Sequence, residues 1–298
     1  MAGGQERVLK RRIKSVKATQ KITRAMELIA ASQIVKAQNR IAAAAAYQEG
    51  MAKVLATAAA DAGGGAGRVV GVPESPSRIL VLALVADRGL AGGYNANVLR
   101  TVERLVKTWR TSGVDHEIVT VGKKAPAYLR FRGYEMAESF IGFTERPAFE
   151  DARAVAARVT PGFLAEEIDQ VLLVSTRYLS AGSQAVETRQ LLPLPEPTAG
   201  DDDRPKSQGY TEFEPESHEL LVDLVPRYVE AALFGALLEA AASEHTARQR
   251  AMAAATDNAD DLAKTLTRVM NRARQDAITT EIMEIVGGAE ALRQAAAD

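Results

Sequence analysis

Residues 17–36 read KATQKITRAMELIAASQIVK, and apolar side chains recur in this stretch at alternating spacings of three and four residues. The series begins before the stretch and continues after it, at Leu9, Ile13, Val16, Ile22, Met26, Ile29, Ala30, Ile34, Ala37 and Ile41. A second series lies near the other end of the chain, at Leu262, Leu266, Val269, Ala273, Ile278, Ile282, Ile285, Ala289 and Leu292. Such seams are typical of helices that wind around one another. We therefore predict that both ends of the chain are long helices and that they pair.

The segments between the two ends are separated by clear helix breakers. Glycines cluster at residues 63–67, and prolines and aspartates cluster at residues 193–205. We predict a coiled-coil helix over residues 1–62, a connector over 63–77, an α/β domain over 78–194, a second connector over 195–215, and a C-terminal coiled-coil helix over 216–298. Within the last segment, Pro226 is expected to open or bend the main helix.

The middle of the chain alternates short apolar runs with amphipathic stretches. The expected strands cover residues 79–85, 116–121, 134–139, 170–175 and 185–192, the last as an edge strand. The expected helices between them cover residues 95–111, 124–132 and 149–165. This alternation predicts an α/β fold with an open, mostly parallel, Rossmann-like sheet.

The first helix is strongly basic, although the whole chain has a formal net charge of only −1. Its first forty residues contain ten lysines and arginines but only two glutamates. Five of these bases follow the helix repeat along one side: Lys10, Lys14, Lys17, Lys21 and Arg24. Such a row is a solvated face, a phosphate-binding surface for nucleic acid, or a docking surface for an acidic protein loop. The row lacks accompanying aromatic residues, which favours the protein partner but leaves the other two readings open.

The glycine-rich turn DRGLAGGYN, residues 87–95, follows the first expected strand, where α/β folds often bind phosphate groups. The spacing of its glycines departs from that of a dinucleotide-binding fingerprint, so we favour a tight structural turn. The three histidines are far apart and without metal-ligand spacing, and the chain has no cysteine. The sequence therefore predicts no metal, no cofactor and no catalysis by this chain alone.

The last helix carries a polar stretch around a thin apolar line, over residues 272–282. A simple solvated surface would scatter such charges more evenly. We expect Gln275, Thr279 and Glu281 to face outward and to offer hydrogen bonds to something that encloses the helix.

Four motifs resemble the gamma subunit of F-type ATP synthase, of the bacterial type. They are KATQKITRAMELIAAS at residues 17–32, DRGLAGG at 87–93, QLLP at 190–193, and AATDN followed by NRARQDAITTEIMEIVGGA at 254–258 and 271–289. The resemblance implies a non-catalytic rotor subunit whose terminal helices form an antiparallel coiled coil inside a ring of three alpha and three beta subunits. It also implies that the α/β domain lies at the base, with the epsilon subunit and the c-ring.

The resemblance further implies a function and a set of contact residues. The function is to couple proton-driven rotation of the c-ring to conformational change in the beta catalytic sites, and to regulate ATPase activity and proton flow. The implied location is the cytoplasmic face of the cell membrane, as a peripheral part of the complex without insertion into the bilayer. The residues implied to contact beta are Lys21, Arg24, Met26, Arg248, Gln275, Thr279 and Glu281. Tyr210, Glu212 and Glu214 are implied to face the c-ring or epsilon.

Two other function classes remain as alternatives. A nucleotide-binding α/β protein would use the glycine-rich turn, and a nucleic-acid-binding coiled coil would use the basic first helix.

Overall fold

The computed structural model describes residues 2–62, 68–71, 73–194, 214 and 216–295. The elements run in the order α1 (Ala2–Ala62), β1 (Arg78–Leu84), α2 (Tyr94–Ser112), β2 (Asp115–Val121), α3 (Lys124–Phe131), β3 (Glu138–Phe140), α4 (Phe149–Leu164), β4 (Gln170–Tyr178), β5 (Gln184–Leu192) and α5 (Ser217–Ala295). They form two compact units. Unit 1 consists of residues 1–29 and 249–298, and unit 2 of residues 30–248.

Unit 2 is built on a five-stranded sheet in the order β3-β2-β1-β4-β5. The pairs β1–β2, β1–β4 and β2–β3 are parallel, and only β5 at the edge runs antiparallel, to β4. The central strand β1 is buried along six of its seven residues, which explains its continuous apolar sequence RILVLAL. The prediction of an α/β fold with a mostly parallel sheet is confirmed.

Each face of the sheet carries its own apolar core, because successive side chains of β1 point to opposite sides. On one face, Ile79, Val81 and Ala83 pack with Val98, Val102 and Val106 of α2 and with Leu129 of α3. On the other face, Leu80 and Leu82 pack with α4 and with the parts of α1 and α5 that belong to unit 2. This second core includes Leu55 and Ala58 of α1 and Leu221, Val225, Val229 and Leu233 of α5.

Within unit 2, α1 and α5 lie side by side in opposite directions. The Ser217 hydroxyl donates to the Asp61 carboxylate over 2.5 Å, so the end of α1 meets the start of α5. Further along, the side-chain amide of Gln48 packs against Gly235, where a Cβ would lie only 2.5 Å from its nitrogen, so the two helices are in contact here as well.

Unit 1 contains an antiparallel pair formed by the start of α1 and the last part of α5. Gln20 donates to Asp260 over 3.1 Å, and the hydroxyls of Thr23 and Thr256 lie 2.8 Å apart. Positions on α1 therefore increase as their partners on α5 decrease. The expectation that the terminal helices pair is confirmed, and so is their antiparallel arrangement.

The residues that face each other in unit 1 differ from those that the apolar pattern predicts. Ile22 and Ile29 are each 61% exposed, whereas Thr23 is buried and Gln20 is partly buried. On α5, Ala263 and Leu266 are buried, and Leu262, Val269, Ile278, Ile282 and Ile285 are exposed. The predicted seam is therefore confirmed at Leu266 but wrong at the exposed positions. Near Ile22 and Leu262, hydrogen-bonded polar side chains occupy the interface instead. Ile278, Ile282 and Ile285 lie where the described part of α1 no longer covers α5.

One expected element boundary is also wrong. The strand expected over residues 134–139 covers only Glu138–Phe140, because Tyr134 is instead buried in the core with α2 and α3. The last helix begins at Ser217, next to the expected start at residue 216; it contains Pro226 in its interior, so this proline does not open the helix. The other expected helices and strands agree with the structure to within about three residues at their ends.

Candidate functional site

The first candidate surface is the solvent-facing side of α1 in unit 1. Thr23 faces α5, and each residue advances by about 100° around a helix, so Lys21 and Arg24 lie on one flank of the interface and Met26 lies on the other. Lys21 and Arg24 are exposed, and Met26 is partly buried. Between the two flanks, Ile22 and Ile29 form an exposed apolar line. The outer side of α1 thus presents positive charge beside apolar surface.

Arg24 has one partner within this surface. Its guanidinium lies 3.0 Å from the carboxylate of Glu27, one turn further along the helix. The Arg24 side chain is still 60% exposed, and an exposed pair of this kind contributes little to stability. The guanidinium is therefore accessible to a second acidic group.

The second candidate surface lies on α5. Gln275, Thr279 and Glu281 are exposed, as expected, and every described side chain from 281 to 289 is exposed as well. The register set by Gln20 with Asp260 and Thr23 with Thr256 places Ala2 close to Ala277. The end of α5 therefore continues for about 25 Å past the described start of α1. It carries exposed apolar side chains there: Ile278, Ile282, Met283, Ile285 and Val286.

Arg248 does not lie on either surface. Its side chain is only 7% exposed and lies 2.5 Å from the Glu244 carboxylate and 3.4 Å from that of Glu145, all within unit 2. The same guanidinium donates to the Gly89 carbonyl over 3.4 Å. In the described structure, this arginine is an internal link between α5 and two loops, unlike the exposed residues with which the sequence reasoning grouped it.

The glycine-rich turn after β1 is held by the carboxylate of Asp87. It accepts hydrogen bonds from the backbone nitrogens of Lys123, Gly142 and Thr144, at 2.9 to 3.1 Å. Burial alone would raise the pKa of Asp87, but these backbone donors outweigh it and lower that pKa. Leu90 and Gly92 adopt left-handed backbone conformations, with φ of 63° and 55°. This geometry agrees with a structural turn.

The structure says little about the three residues implied to face the c-ring or epsilon. Tyr210 and Glu212 lie outside the described residues, and Glu214 is exposed. In the described part of the chain, no three His, Asp or Glu side chains are grouped as metal ligands would be. Among those same residues, no helix is long and apolar enough to cross a membrane.

The sequence reasoning missed two groups of residues. The first group pairs across the helices of unit 1 and escapes prediction because a coiled-coil seam is defined by the spacing of apolar side chains: Gln20, Thr23, Thr256 and Asp260. Glu244, His245 and Glu145 were hidden because the loop that carries Glu145 is distant in sequence. One signal was available: Glu244 and Arg248 are opposite charges at i and i+4 that directly follow the apolar run at residues 240–242.

Comparisons with known proteins agree on one family. A family model described as ATP synthase matches residues 5–292. The ATP synthase gamma chain of Parafrankia sp. (strain EAN1pec) is 47% identical over 300 residues, which cover 98% of this chain and 99% of that protein. The ATP synthase gamma chain of Frankia casuarinae is 46% identical over 301 residues, with 97% and 98% covered.

Solved structures are similar in fold. A chain of the Euglena gracilis mitochondrial ATP synthase, in an OSCP/F1/c-ring structure, has a TM-score of 0.67 at 18% identity, with 97% of this chain and 95% of that chain covered. A chain of the central stalk/c-ring structure from Tetrahymena thermophila has a TM-score of 0.60 at 23% identity, with 78% and 99% covered. At these identities the likeness concerns the fold.

Proposed function

Because the chain belongs to the ATP synthase gamma-chain family, we propose that it is the central-stalk rotor subunit of a bacterial F-type ATP synthase. It is a non-catalytic subunit of that complex. The observation that carries the proposal is the 47% identity to a curated gamma chain over 98% of this chain. In this role it couples rotation of a c-ring, driven by protons, to conformational change in beta catalytic sites, and it regulates ATPase activity and proton flow.

The exposed end of α5 supports insertion into a ring of other subunits. Contiguous apolar surface on a soluble protein usually marks an interaction site. Here Ile282, Ile285 and Val286 are each more than half exposed, and no described residue of α1 covers them. A ring of three alpha and three beta subunits would remove this surface from water.

The surface on α1 is basic, whereas the surface on α5 combines polar and apolar side chains, so the two surfaces would bind different groups of a partner. This difference supports coupling that depends on the orientation of the shaft. One shaft cannot contact three beta subunits identically, so each orientation stabilises a different conformation in each of them. A lever shifts a conformational equilibrium only through contacts that differ between the two states. We assign these contacts to Lys21, Arg24 and Met26 on α1 and to Gln275, Thr279 and Glu281 on α5. Arg248 contributes from inside unit 2, by supporting the loops that surround it.

The remaining partners follow from the same role. The α/β domain over residues 78–194 is the part assigned to epsilon and the c-ring, together with Tyr210, Glu212 and Glu214 in the connector over residues 195–215. Of the coiled-coil segments over residues 1–62 and 216–298, the parts that belong to unit 1 are assigned to the ring of alpha and beta. The subunit is then peripheral, at the cytoplasmic face of the cell membrane.

Two measurements test the proposal. Coexpression with the alpha, beta and epsilon subunits of the same organism should yield a complex with one copy of this chain for every three beta subunits. In the reconstituted enzyme, Gln275→Ala should lower the ratio of ATP-driven proton pumping to ATPase rate by about threefold, because the variant loses about one hydrogen bond to beta. Assembly of the complex should not be prevented.

Arg268→Ala is the matched control, because Arg268 is an exposed residue on the same helix outside the assigned contact set. Failure to form the complex would refute the rotor role. Equal pumping ratios for the two variants would remove Gln275 from the contact set.

A further inference from the structure

The outer edge of the sheet at β5 lies beside an open groove. β5 is the last strand of the sheet, and in the described structure its edge away from β4 pairs with no other strand at residues 185–188. A further bridge joins Val70 to Leu194, but it lies six residues beyond Thr188. The groove has a volume of about 820 Å³ and is lined by Val186 of β5 and by seven residues of α2, all within unit 2.

This part of the edge has few of the features that usually prevent strand addition. Natural sheets protect an exposed edge with lysine, proline, a bulge or a covering element. Here Ala185, Val186 and Thr188 are uncharged, and the irregularity of the β4–β5 pair lies at the other end of β5. Glu187 lies 3.6 Å from Arg177 on β4, so its charge is already paired. Backbone donors and acceptors at this edge are therefore accessible to a further strand.

α2 lines the groove with three exposed cations, Arg100, Arg104 and Lys107. The Arg100 guanidinium donates to the Asn97 side-chain oxygen over 2.6 Å, and the Arg104 guanidinium donates to the Thr101 hydroxyl over 3.3 Å. Both of these acceptors are neutral. Within the described part of the chain, the three positive charges therefore have no carboxylate partner.

Glu103 also lines the groove, but its carboxylate is engaged on the side of α3. Glu103 is 7% exposed, accepts a hydrogen bond from the Tyr128 hydroxyl over 2.8 Å, and lies 3.3 Å from the Arg132 guanidinium. Its charge is thus compensated by Arg132. The charge that α2 presents to the groove is positive.

The spacing of the three cations fits an extended chain. Arg100 and Lys107 are seven residues apart, which corresponds to about 10 Å along the helix axis. Side chains on one face of a strand recur every 7 Å or so, roughly two residues of rise. Two or three carboxylates at alternate positions of an added strand therefore match this row, while the backbone of the same strand pairs with β5.

We propose that the groove between α2 and β5 is a docking site for an extended acidic segment of a partner protein. The segment adds a strand to the sheet at residues 185–188 and directs carboxylates at alternate positions to Arg100, Arg104 and Lys107. Main-chain hydrogen bonds then provide affinity, and the charged side chains provide specificity. Since the groove lies within unit 2, binding can be measured on the full chain by itself, independently of the rotor role.

A polypeptide fits this groove better than a nucleic acid does. Proteins that bind single-stranded nucleic acid usually stack its bases on aromatic side chains, and the residues that line this groove include none. A phosphate backbone also cannot form the hydrogen-bond ladder that the edge of β5 offers. The exposed edge therefore favours a protein segment as the occupant.

Peptide binding to the full chain tests the proposal. The probe is a fluorescein-labelled peptide of about seven residues in which glutamate alternates with valine and threonine, long enough to span the cations on α2. The control peptide has the same composition, with its glutamates in one block. Fluorescence anisotropy should show that the alternating peptide binds roughly tenfold more tightly, because only its carboxylates can all face α2. Equal affinities of the two peptides would overturn the proposal.

Hydrogen exchange shows whether the bound peptide adds a strand. In an antiparallel pair, alternate residues direct their N–H groups away from the partner strand, so alternate amides at residues 185–188 point to the open edge. With the alternating peptide at about ten times its Kd, these amides should exchange about tenfold more slowly. Unchanged exchange in the presence of bound peptide would contradict strand addition and so refute the proposed site.

A charge reversal on α2 tests the cation row. Arg104→Glu should weaken binding of the alternating peptide roughly tenfold, because repulsion replaces attraction. Arg130→Glu is the matched control: Arg130 is an exposed residue of α3 outside the groove, and the variant has the same change in net charge but should keep its affinity. Equal losses in the two variants would mean that only net charge matters. A short single strand of thymidylate that binds as tightly as the peptide and displaces it would indicate a general polyanion surface, and either result would overturn the proposal.

Discussion

Gly122 is a residue at which the sheet of unit 2 leaves no room for a side chain. It follows β2 directly, with φ of 102°, and its nitrogen donates to the Phe140 carbonyl over 2.7 Å. A Cβ on this residue would lie 2.2 Å from the carbonyl oxygen of Val85 and 2.6 Å from its carbonyl carbon. Both atoms are backbone of the neighbouring chain segment, so they cannot rotate away.

Gly122→Ala should therefore be among the most damaging single changes in unit 2. We expect a loss of more than about 3 kcal/mol in the free energy of unfolding, from backbone strain together with displacement of the chain after β1. Chemical denaturation of the purified chain measures this loss. Gly133→Ala is the matched control: its φ of 75° is also left-handed, but nothing lies within 4 Å of the added Cβ. Equal losses would show that the clash is relieved by movement.

Thr23 and Thr256 show how single hydroxyls can define a helix pair. Each hydroxyl is also placed to donate to a carbonyl of its own helix, of Gln20 and of Met252, and the two oxygens lie 2.8 Å apart. A polar pair in a helix interface favours one register, because a shift leaves polar groups in the interface unpaired. The neighbouring Gln20–Asp260 hydrogen bond adds a second such constraint.

At the scale of elements, sequence alone predicts most of the sheet and its helices but misplaces the contacts of the long helices. Strands such as β1 are identified by apolar runs flanked by glycine or proline, a local signal. On α1, apolar residues occur both toward α5 and toward solvent, so spacing cannot separate Ile13, which is buried, from Ile22, which is exposed. The deciding interactions, such as Gln20 with Asp260, join residues 240 positions apart.

The same reasoning explains why the candidate site was only partly predictable. Exposure of Lys21, Arg24, Gln275 and Glu281 follows from side-chain polarity and helical period, so the sequence was sufficient. Arg248 was grouped with them by the family resemblance, which matches residue identities and carries no information on burial. Its partner Glu145 is more than a hundred positions away, and only the folded chain brings the two together.

The end of α5 should contribute to coupling without contributing to the folding of unit 1. All described side chains from 282 to 289 are exposed, so ending the chain after Glu281 removes no buried side chain among these residues. We expect the melting temperature of the purified chain to change by at most about 2 °C. In the reconstituted enzyme, the ratio of proton pumping to ATPase rate should fall, since the apolar surface proposed to lie within the ring is missing.

Leu266→Ala provides the comparison for this truncation. Leu266 is 9% exposed in unit 1, and removing its side chain should cost about 2 kcal/mol or more of folding free energy. A truncated chain that is destabilised as much as this variant would mean that the end of α5 packs against the rest of unit 1.

At the scale of the whole molecule, α1 and α5 are each shared by the two units. In unit 1 the two helices supply all the packing themselves. In unit 2 they cover one face of the sheet, through residues such as Leu55 and Leu233. The same two helices thus belong both to the part proposed to enter the ring and to the part that carries the α/β domain. The position of a substitution along α1 or α5 therefore indicates which of these two parts it affects.

The basic row on α1 gives the clearest test at this scale, because it concerns assembly with other subunits. If Lys21 and Arg24 meet an acidic loop of beta, reversing both charges with Lys21→Glu and Arg24→Glu should weaken association with the alpha–beta ring by roughly tenfold, given the modest energy of exposed ion pairs. The effect should shrink as salt is raised, since screening reduces attraction between exposed charges. Association is measured by titrating the labelled chain into the ring at low and high ionic strength.

The control must reverse two charges on α1 that lie outside the basic row. Arg40 is unsuitable, because its guanidinium donates to the Pro147 carbonyl within unit 2. Arg11 and Lys36 are exposed and lie outside the row, so reversing both of them changes the net charge equally. A carboxylate at position 24 also lies one turn from Glu27 and costs a few tenths of a kcal/mol of helix stability, so melting curves of both variants are needed. If the two double variants lose the same affinity at both salt concentrations, the row acts only through net charge and makes no specific contact.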